Sequence, residues 1–320
     1  MYFSVNTSYK NNMILHTGLR TDIPAFYPEW LANRIKEGFA LVRNPFNPNQ
    51  ITKYRISPDV VDVISFCTKN PAPFFPYMEL LDEYKQCWFV TITPYGKDIE
   101  PHVPDKECVM ESFCRLSERV GRNAVIWRSD PIFVLDKYAM EFHLEAFEHM
   151  AKTLSGYTDT CIISFIDLYQ KVKRNFPEVR EVSTEERIIF AKELVRIGQK
   201  YGILIKSCAE GTELAAYGVD TSGCMTAPVY ERAAGFALNV PKIKGARTEC
   251  GCLLTCDIGA YHTCGHLCKY CYANYDEETV KRNMKLHNPK SPLLLGEVEE
   301  GMKIHEAVQK SWRNGQISLF

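Results

Sequence analysis

The stretch AVIWRSDPIFVLDKYAMEFHLEAFEHMAKTLSGYTDTCIISFID, residues 124–167, decides how the chain is read. It opens with a short apolar run that ends on Arg128 and Asp130, and closes with another that ends on Asp167. Between them Met140, Leu144, Phe147, Ala151 and Leu154 fall on one face of a helix of 3.6 residues per turn. A strand buried on both faces, a helix and a second such strand make a βαβ unit, whose strands run parallel. The same rhythm continues outward in both directions. MILHTG (13–18), FALVRN (39–44), VDVISFCTKN (61–70) and CWFVTIT (87–93) precede the unit, and ILIKSCAE (203–210) and LLTCD (253–257) follow it. Val109, Phe113, Leu116 and Val120 form a second helical stripe with Gly121 as its stop. A third helix opens on Ser183 and Glu186 as a capping box and carries Ile188, Ala191 and Val195 on one side. The expected fold is therefore α/β, a (β/α)8-type, TIM-like parallel barrel. A doubly wound open sheet is the alternative, which the lack of a glycine-rich phosphate loop after the first strand disfavours. Residues 1–320 read as one domain, with 250–275 as a cysteine-rich segment within it.

The composition, 46% hydrophobic and 24% charged, is that of a globular chain, and a net charge of −1 gives no global attraction to nucleic acid or anionic membrane. Two short basic clusters, Lys171, Lys173 and Arg174, and Lys242, Lys244 and Arg247, read as solvated surface. No apolar run approaches the roughly 18–20 residues needed to span a bilayer. The polar MYFSVNTSYKNN start lacks the apolar centre of a signal peptide, so a cytoplasmic location is expected. Thirteen cysteines are many for such a chain, and six of them lie between Cys250 and Cys271. In a reducing compartment clustered cysteines point to metal or redox chemistry.

Polar or ionisable residues stand at the ends of the apolar runs: His16 with Arg20 and Asp22, Arg43 with Asn44, Lys69 with Asn70, Thr93 with Tyr95, Arg128 with Asp130, Asp167, Cys208 with Glu210, and Asp257. In a parallel barrel these ends meet on one face, where the active site is built. Arg20, Asp22, Lys69, Arg128, Asp130 and Asp167 are the candidate catalytic or substrate-binding groups, with Arg and Lys suited to carboxylate or phosphate.

Residues 261–278, YHTCGHLCKYCYANYDEE, place Cys264, Cys268 and Cys271 in a Cys-x3-Cys-x2-Cys spacing. Three such thiolates can ligate three irons of a [4Fe–4S] cube and leave the fourth iron open. A structural zinc site, completed by His262, His266 or a further cysteine, is the competing reading. Cys208, Cys224, Cys250 and Cys252 are candidates for a second, four-thiolate iron–sulfur cluster, closed to ligands. Against this, Cys208 and Cys256 also suit packing beside buried strands, the role expected of Cys67, Cys87, Cys108, Cys114 and Cys161.

The loop resembles the radical S-adenosylmethionine signature, including the aromatic Tyr270 before the third cysteine and the continuation Tyr272-Ala273-Asn274. The longer arrangement resembles the domain-of-unknown-function 1848 family over Arg20–Tyr27, Val42–Phe46, Thr68–Pro71, Trp127-Arg128 with Asp130-Pro131, and Asp257–Tyr261. The first resemblance implies a [4Fe–4S] cluster on Cys264, Cys268 and Cys271 and S-adenosylmethionine on the open iron, with Tyr270 and Asp257 beside the cofactor. It also implies an electron donor such as flavodoxin or ferredoxin, and a radical formed on a small-molecule or macromolecular substrate of unknown identity. In that superfamily the cysteine loop follows the first barrel strand. Here it follows LLTCD, which implies a circularly permuted barrel in which LLTCD takes the first strand's place and MILHTG the second's. The usual glycine-rich cofactor stretch has only a faint echo in Gly296-Glu297, with HTGLRTD in the permuted position. Two other readings stand: a cluster barrel without radical chemistry, its iron a Lewis acid or electron carrier, and a zinc-stapled binding module, with nucleic acid a less favoured ligand.

Overall fold

The computed structural model describes residues 14–241 and 250–317. Met13, the polar start and the Lys242, Lys244 and Arg247 cluster lie outside the described residues. Strands are numbered along the chain. Seven of them form one all-parallel sheet in the order β10 (Cys256–Asp257), β1 (Ile14–His16), β4 (Val63–Thr68), β5 (Gln86–Thr91), β6 (Val125–Ile132), β7 (Thr160–Phe165) and β8 (Leu204–Ser207). From β4 to β8 the strands follow one another in chain order, as right-handed crossovers through helices produce. These strands are apolar on both faces because helices cover one side and the opposite side is itself filled. Trp88, Phe89, Ile126, Trp127, Ile162 and Ile163 are fully buried, and burying a side chain of this size contributes about 1.5–3 kcal/mol.

The covering helices have the faces and ends expected. They include α3 (Lys106–Val120), α4 (Met140–Leu154) and α6 (Thr184–Tyr201). Glu186 N–H donates to Ser183 Oγ at 3.2 Å, and Ser183 N–H donates to Glu186 Oε2 at 2.9 Å, so the capping box of α6 is complete. The α4 stripe turns Phe147, Ala151 and Leu154 into the core, with Met140 and Leu144 half-buried at its edge.

Two strand assignments change. FALVRN forms β2 (Phe39–Asn44), but it pairs antiparallel with β3 (Asn47–Arg55) in a separate sheet completed by β11 (Lys303–Glu306). The cause is the turn at Asn44–Asn47, NPFN, whose Asn and Pro fold the chain straight back. A parallel neighbour would need a long crossover. LLTCD contributes only Cys256–Asp257, because residues 250–255 follow an irregular path, in which Leu254 N–H donates to Cys252 O. The remaining strands, β9 (Phe236–Leu238) and β12 (Arg313–Ile317), form a two-stranded antiparallel pair.

β10 lies beside β1 in parallel register, Leu15 opposite Cys256 and His16 opposite Asp257. The two edge strands of the sheet are β10 and β8. Among the described residues no ladder joins them. The segment 219–226 lies between: Ser207 N–H donates to Asp220 O and Asp220 N–H to Ile205 O, both at 2.9 Å, while Leu253 N–H donates to Met225 O at 2.8 Å. No described helix is long and apolar enough to cross a membrane.

Candidate cluster and substrate cavity

The C-terminal ends of β4 to β8, the segment after β1 and the cysteine loop surround a cavity of about 280 Å³. Its wall contains all six candidate charged residues, Arg20, Asp22, Lys69, Arg128, Asp130 and Asp167. It also contains all seven candidate cysteine ligands, Cys208, Cys224, Cys250, Cys252, Cys264, Cys268 and Cys271, and Tyr270. Residues spread over 250 positions of sequence thus meet because parallel strands all end on one side. Local backbone supports this meeting. Gly18 passes so close to β4 that a Cβ would stand 2.1 Å from Cys67 O. A Cβ on Gly265 would stand 2.6 Å from the Phe26 ring.

The cysteine loop is irregular, with His262 at φ 60° and Leu267 at φ 56°. Left-handed backbone at non-glycine residues persists only where surroundings hold it, and here three ties do so. His266 Nε2–H donates to Asp22 Oδ2 at 2.9 Å. His102 Nδ1–H donates to Gly265 O at 2.8 Å. Asn274 Nδ2–H donates to Cys264 O at 2.8 Å.

The candidate charges are mostly paired. Arg20 Nε–H donates to Asp257 Oδ2 at 2.5 Å, and its Nη2 reaches the Asp257 carbonyl, fastening the segment after β1 to β10. Asp22 caps α1 (Ile23–Phe26) by accepting from Ala25 N at 3.1 Å, and accepts from Lys69 N at 2.7 Å. Arg128 pairs with Asp130, which also accepts from Ser164 Oγ. Asp167 accepts from Tyr169 Oη at 2.8 Å. The wall is therefore a set of neutralised pairs rather than a basic clamp. Two buried wall atoms have no hydrogen-bond partner among the described residues, Arg128 Nε and Thr21 Oγ1. Such atoms cost stability unless a ligand or water meets them.

Two residues outside the candidate set, neither lining the cavity itself, hold residues that do. Glu100 has a fully buried carboxylate that accepts from Lys69 Nζ at 2.9 Å, Thr93 Oγ1 at 2.7 Å, Lys106 Nζ and Tyr270 Oη. Burial alone would raise its pKa, but Lys69 and Lys106 hold it at about 2. Tyr270 and Lys69 are thereby committed to this anion. The strand-end pattern passes Glu100 by, because it lies seven residues beyond Thr93. Glu210 accepts from Phe165 N at 2.8 Å and Arg187 Nη1 at 3.1 Å. Burial, aided by Asp167 and Asp130, nevertheless pushes it up to about 8.

Some strand-end groups lie elsewhere. His16 is buried and donates from Nε2 to Leu253 O at 2.8 Å, while Tyr95 stacks on Phe133 at 4.1 Å. Arg43, on β2, donates to Glu297 O at 2.9 Å. Asp257, expected beside the cofactor, is not among the residues lining the cavity; it holds Arg20, which is. Of the cysteines expected to pack, Cys87 and Cys161 are buried, Cys108 is exposed on α3, and Cys67 lines the cavity. The basic cluster Lys171 and Arg174 is more than solvated surface. Both line a smaller cavity of about 240 Å³ with Tyr169, Tyr261, Tyr272 and Tyr275.

Two of the three loop thiols have backbone donors. Ala273 N–H points at Cys271 Sγ at 3.3 Å, and Cys264 receives the backbone N–H of His266. Backbone N–H donors of this kind stabilise thiolate ligands. As free thiols all three are pushed up by burial, and Lys69 partly offsets this at Cys268. A second group, Cys208, Cys224 and Cys252, is buried with its sulfurs all within 4.8 Å of one another, and could bind a metal or cluster.

No curated protein matches the chain. A family model described as a domain of unknown function, DUF1848, matches residues 14–273. The match runs from β1 to two residues past Cys271, and so spans the parallel sheet, the cavity and both cysteine groups. The chain belongs to the DUF1848 family.

Proposed function

We propose that the chain is an iron–sulfur enzyme of the radical S-adenosylmethionine type, with Cys264, Cys268 and Cys271 holding a [4Fe–4S] cluster in the cavity. The observation that carries this reading is that all three thiols open into the same space as the strand-end charges. When bound, the cluster supplies an open iron and an electron for reductive cleavage of the sulfonium of S-adenosylmethionine, which yields a carbon radical. The electron would come from a partner such as flavodoxin or ferredoxin.

The chain's own residues position and shield. Glu100 fixes Tyr270 and Lys69 next to Cys268, Asp22 fixes His266, and Asp257 fixes Arg20. Arg128 Nε and Thr21 Oγ1 are donors for a polar group of the substrate or cofactor. Glu210 holds Phe165, which lines the cavity, by accepting its backbone N–H.

In this proposal the sheet is a curled, permuted barrel. β10, which leads into the cysteine loop, takes the first strand's place beside β1. The 219–226 segment occupies the gap between β8 and β10. The adjacency of β10 and β1 supports this order, in which the loop comes late because the strand that carries it does.

The test is anaerobic purification with iron, sulfide and zinc measured per chain, and spectra of the reduced protein with and without S-adenosylmethionine. The reading requires about four irons per chain that are lost in Cys268→Ser. It also requires a cofactor-dependent change in the paramagnetic signal and formation of 5′-deoxyadenosine. Iron and a signal without 5′-deoxyadenosine would leave a cluster protein without radical chemistry. Zinc on these three cysteines would overturn the proposal.

A further inference from the structure

We propose that Cys208, Cys224, Cys250 and Cys252 bind one tetrahedral metal ion, zinc, which fastens the two edges of the parallel sheet together. Cys208 follows β8, one edge strand. Cys250 and Cys252 precede β10, the other, and Cys224 belongs to the segment lying between them. Cys224 Sγ stands 3.1 Å from Cys208 Sγ and 3.1 Å from Cys252 Sγ. Cys250 joins through its contact with Cys252. Three separate segments thus bring their sulfurs, not merely their side chains, to one point.

The spacing decides between kinds of centre. A cube gives each cysteine its own iron and spreads the thiolates around the cluster body. A single ion gathers its thiolates on the edges of one small tetrahedron, about 3.8 Å long for metal–sulfur bonds of about 2.3 Å. The sulfurs of Cys208, Cys224 and Cys252, all within 4.8 Å of one another, match three corners of the tetrahedron, and Cys250, beside Cys252, is placed to supply the fourth. Among the described residues this is the one such group; the loop cysteines are not gathered in this way. Tetrahedral sulfur-only ligation is chemistry that zinc favours.

A disulfide does not account for the group, because Cys224 is equally close to two partners and can bond only one. Simple packing does not account for it either, since Met225 N–H points at Cys252 Sγ at 3.4 Å, as backbone donors do toward metal-bound thiolates. Four thiolates on a divalent ion carry two net negative charges, and the Arg128 guanidinium interacts with both Cys208 and Cys224. The backbone geometry serves the same convergence. Ala209, next to Cys208, has φ 58°, and Gly223, next to Cys224, has φ 95°. Among the described residues the backbone hydrogen bonds along the seam are Ser207 to Asp220, Asp220 to Ile205 and Leu253 to Met225, and a metal tie there adds to them.

The experiment is metal analysis of the anaerobically purified wild type, Cys224→Ser, Cys250→Ser and Cys268→Ser, with zinc-edge X-ray absorption on the wild type. About one zinc per chain is expected, with sulfur neighbours at about 2.3 Å. Cys224→Ser should lose at least ten-fold in zinc occupancy and keep its iron, while Cys268→Ser should keep its zinc. The absorption spectrum needs no variant, so a misfolded Cys224→Ser leaves the test intact, and Cys250→Ser spares three of the thiols. Loss of iron and sulfide rather than zinc in Cys224→Ser would overturn the proposal in favour of a second cluster. Wild-type protein without zinc, or alkylation revealing a disulfide at Cys224, would overturn it as well. Failure of the loop cluster shows instead in the iron content of Cys268→Ser, so the two proposals fail separately.

Discussion

Replacing Glu100 with Gln keeps the shape of the side chain and removes one buried negative charge. In the wild type that charge faces two ammonium groups, Lys69 and Lys106, and accepts the Tyr270 hydroxyl. The native state lowers this carboxyl from 4.5 to about 2, against the rise that burial would cause. At about 1.4 kcal/mol per tenfold change in proton affinity, the anion is favoured by about 3 kcal/mol. Breaking a buried ion pair by deleting one partner costs about 3–5 kcal/mol, so two routes agree on the scale. Because the folded pKa is depressed, this stability is fully present above pH 4.5 and is lost as pH falls toward 2. Glu100→Gln should therefore melt about 6 °C below the wild type at pH 7, taking about 2 °C per kcal/mol for a long chain. The gap should close as pH falls through that window. Thermal melts of the metal-free proteins across pH 3–7 measure both. A variant that melts within a degree of the wild type at pH 7 would refute the reasoning. So would a gap that does not shrink on acidification.

Glu210→Gln should act in a different window and with the opposite sign. The folded pKa of Glu210 is raised to about 8, so the wild type loses stability as pH climbs from 4.5 toward 8. The variant's melting temperature should fall less over that range, and parallel curves would argue against a buried, protonated Glu210. Gly18→Ala must move backbone, since the new Cβ would stand 2.1 Å from Cys67 O. It should cost several degrees of melting temperature, more than Gly156→Ala, whose site has open space, although a positive φ there also disfavours alanine. His266→Ala removes the tie to Asp22 without removing a loop cysteine. Cluster loss on exposure to chelator should be several-fold faster than in the wild type, with initial iron content after anaerobic reconstitution unchanged. An unchanged rate would mean that Asp22 does not hold the loop.

The parallel sheet was legible because its strands announce themselves twice, as apolar runs and as partners of amphipathic helices. AVIW and CIISFI, with the α4 stripe between, needed nothing beyond local pattern. FALVRN misled because a six-residue run with four apolar residues is equally a hairpin strand, and the deciding signal was the NPFN turn that closes it. LLTCD shrank because Leu253 and Leu254 bond to the carbonyls of Met225 and Cys252 rather than to a neighbouring strand of the sheet. The candidate site was legible in its membership, since residues at the ends of parallel strands converge by topology. Its internal pairing was not. Nothing in local sequence says that Lys69 answers Glu100 rather than a substrate, or that Arg20 answers Asp257 some 237 positions away. Such pairs are set by which strands become neighbours, a tertiary fact.

That dependence also connects the two cysteine groups to the fold. The loop of Cys264, Cys268 and Cys271 hangs on β10, a strand with only two ladder residues. β10 is held by β1 on one side, by Arg20 through Asp257, and on the other side by whatever secures residues 250–253 to Cys208 and Cys224. If zinc is that fastening, stripping it should loosen β10 and with it the loop. Backbone amide exchange at Leu253 and Asp220, both hydrogen-bonded along the seam, should then accelerate at least ten-fold in zinc-depleted protein. Exchange at Phe89 and Trp127, in the middle of the sheet, should stay slow. Acceleration everywhere would mean global unfolding. Acceleration nowhere would mean that the hydrogen bonds of the seam hold β10 without the metal.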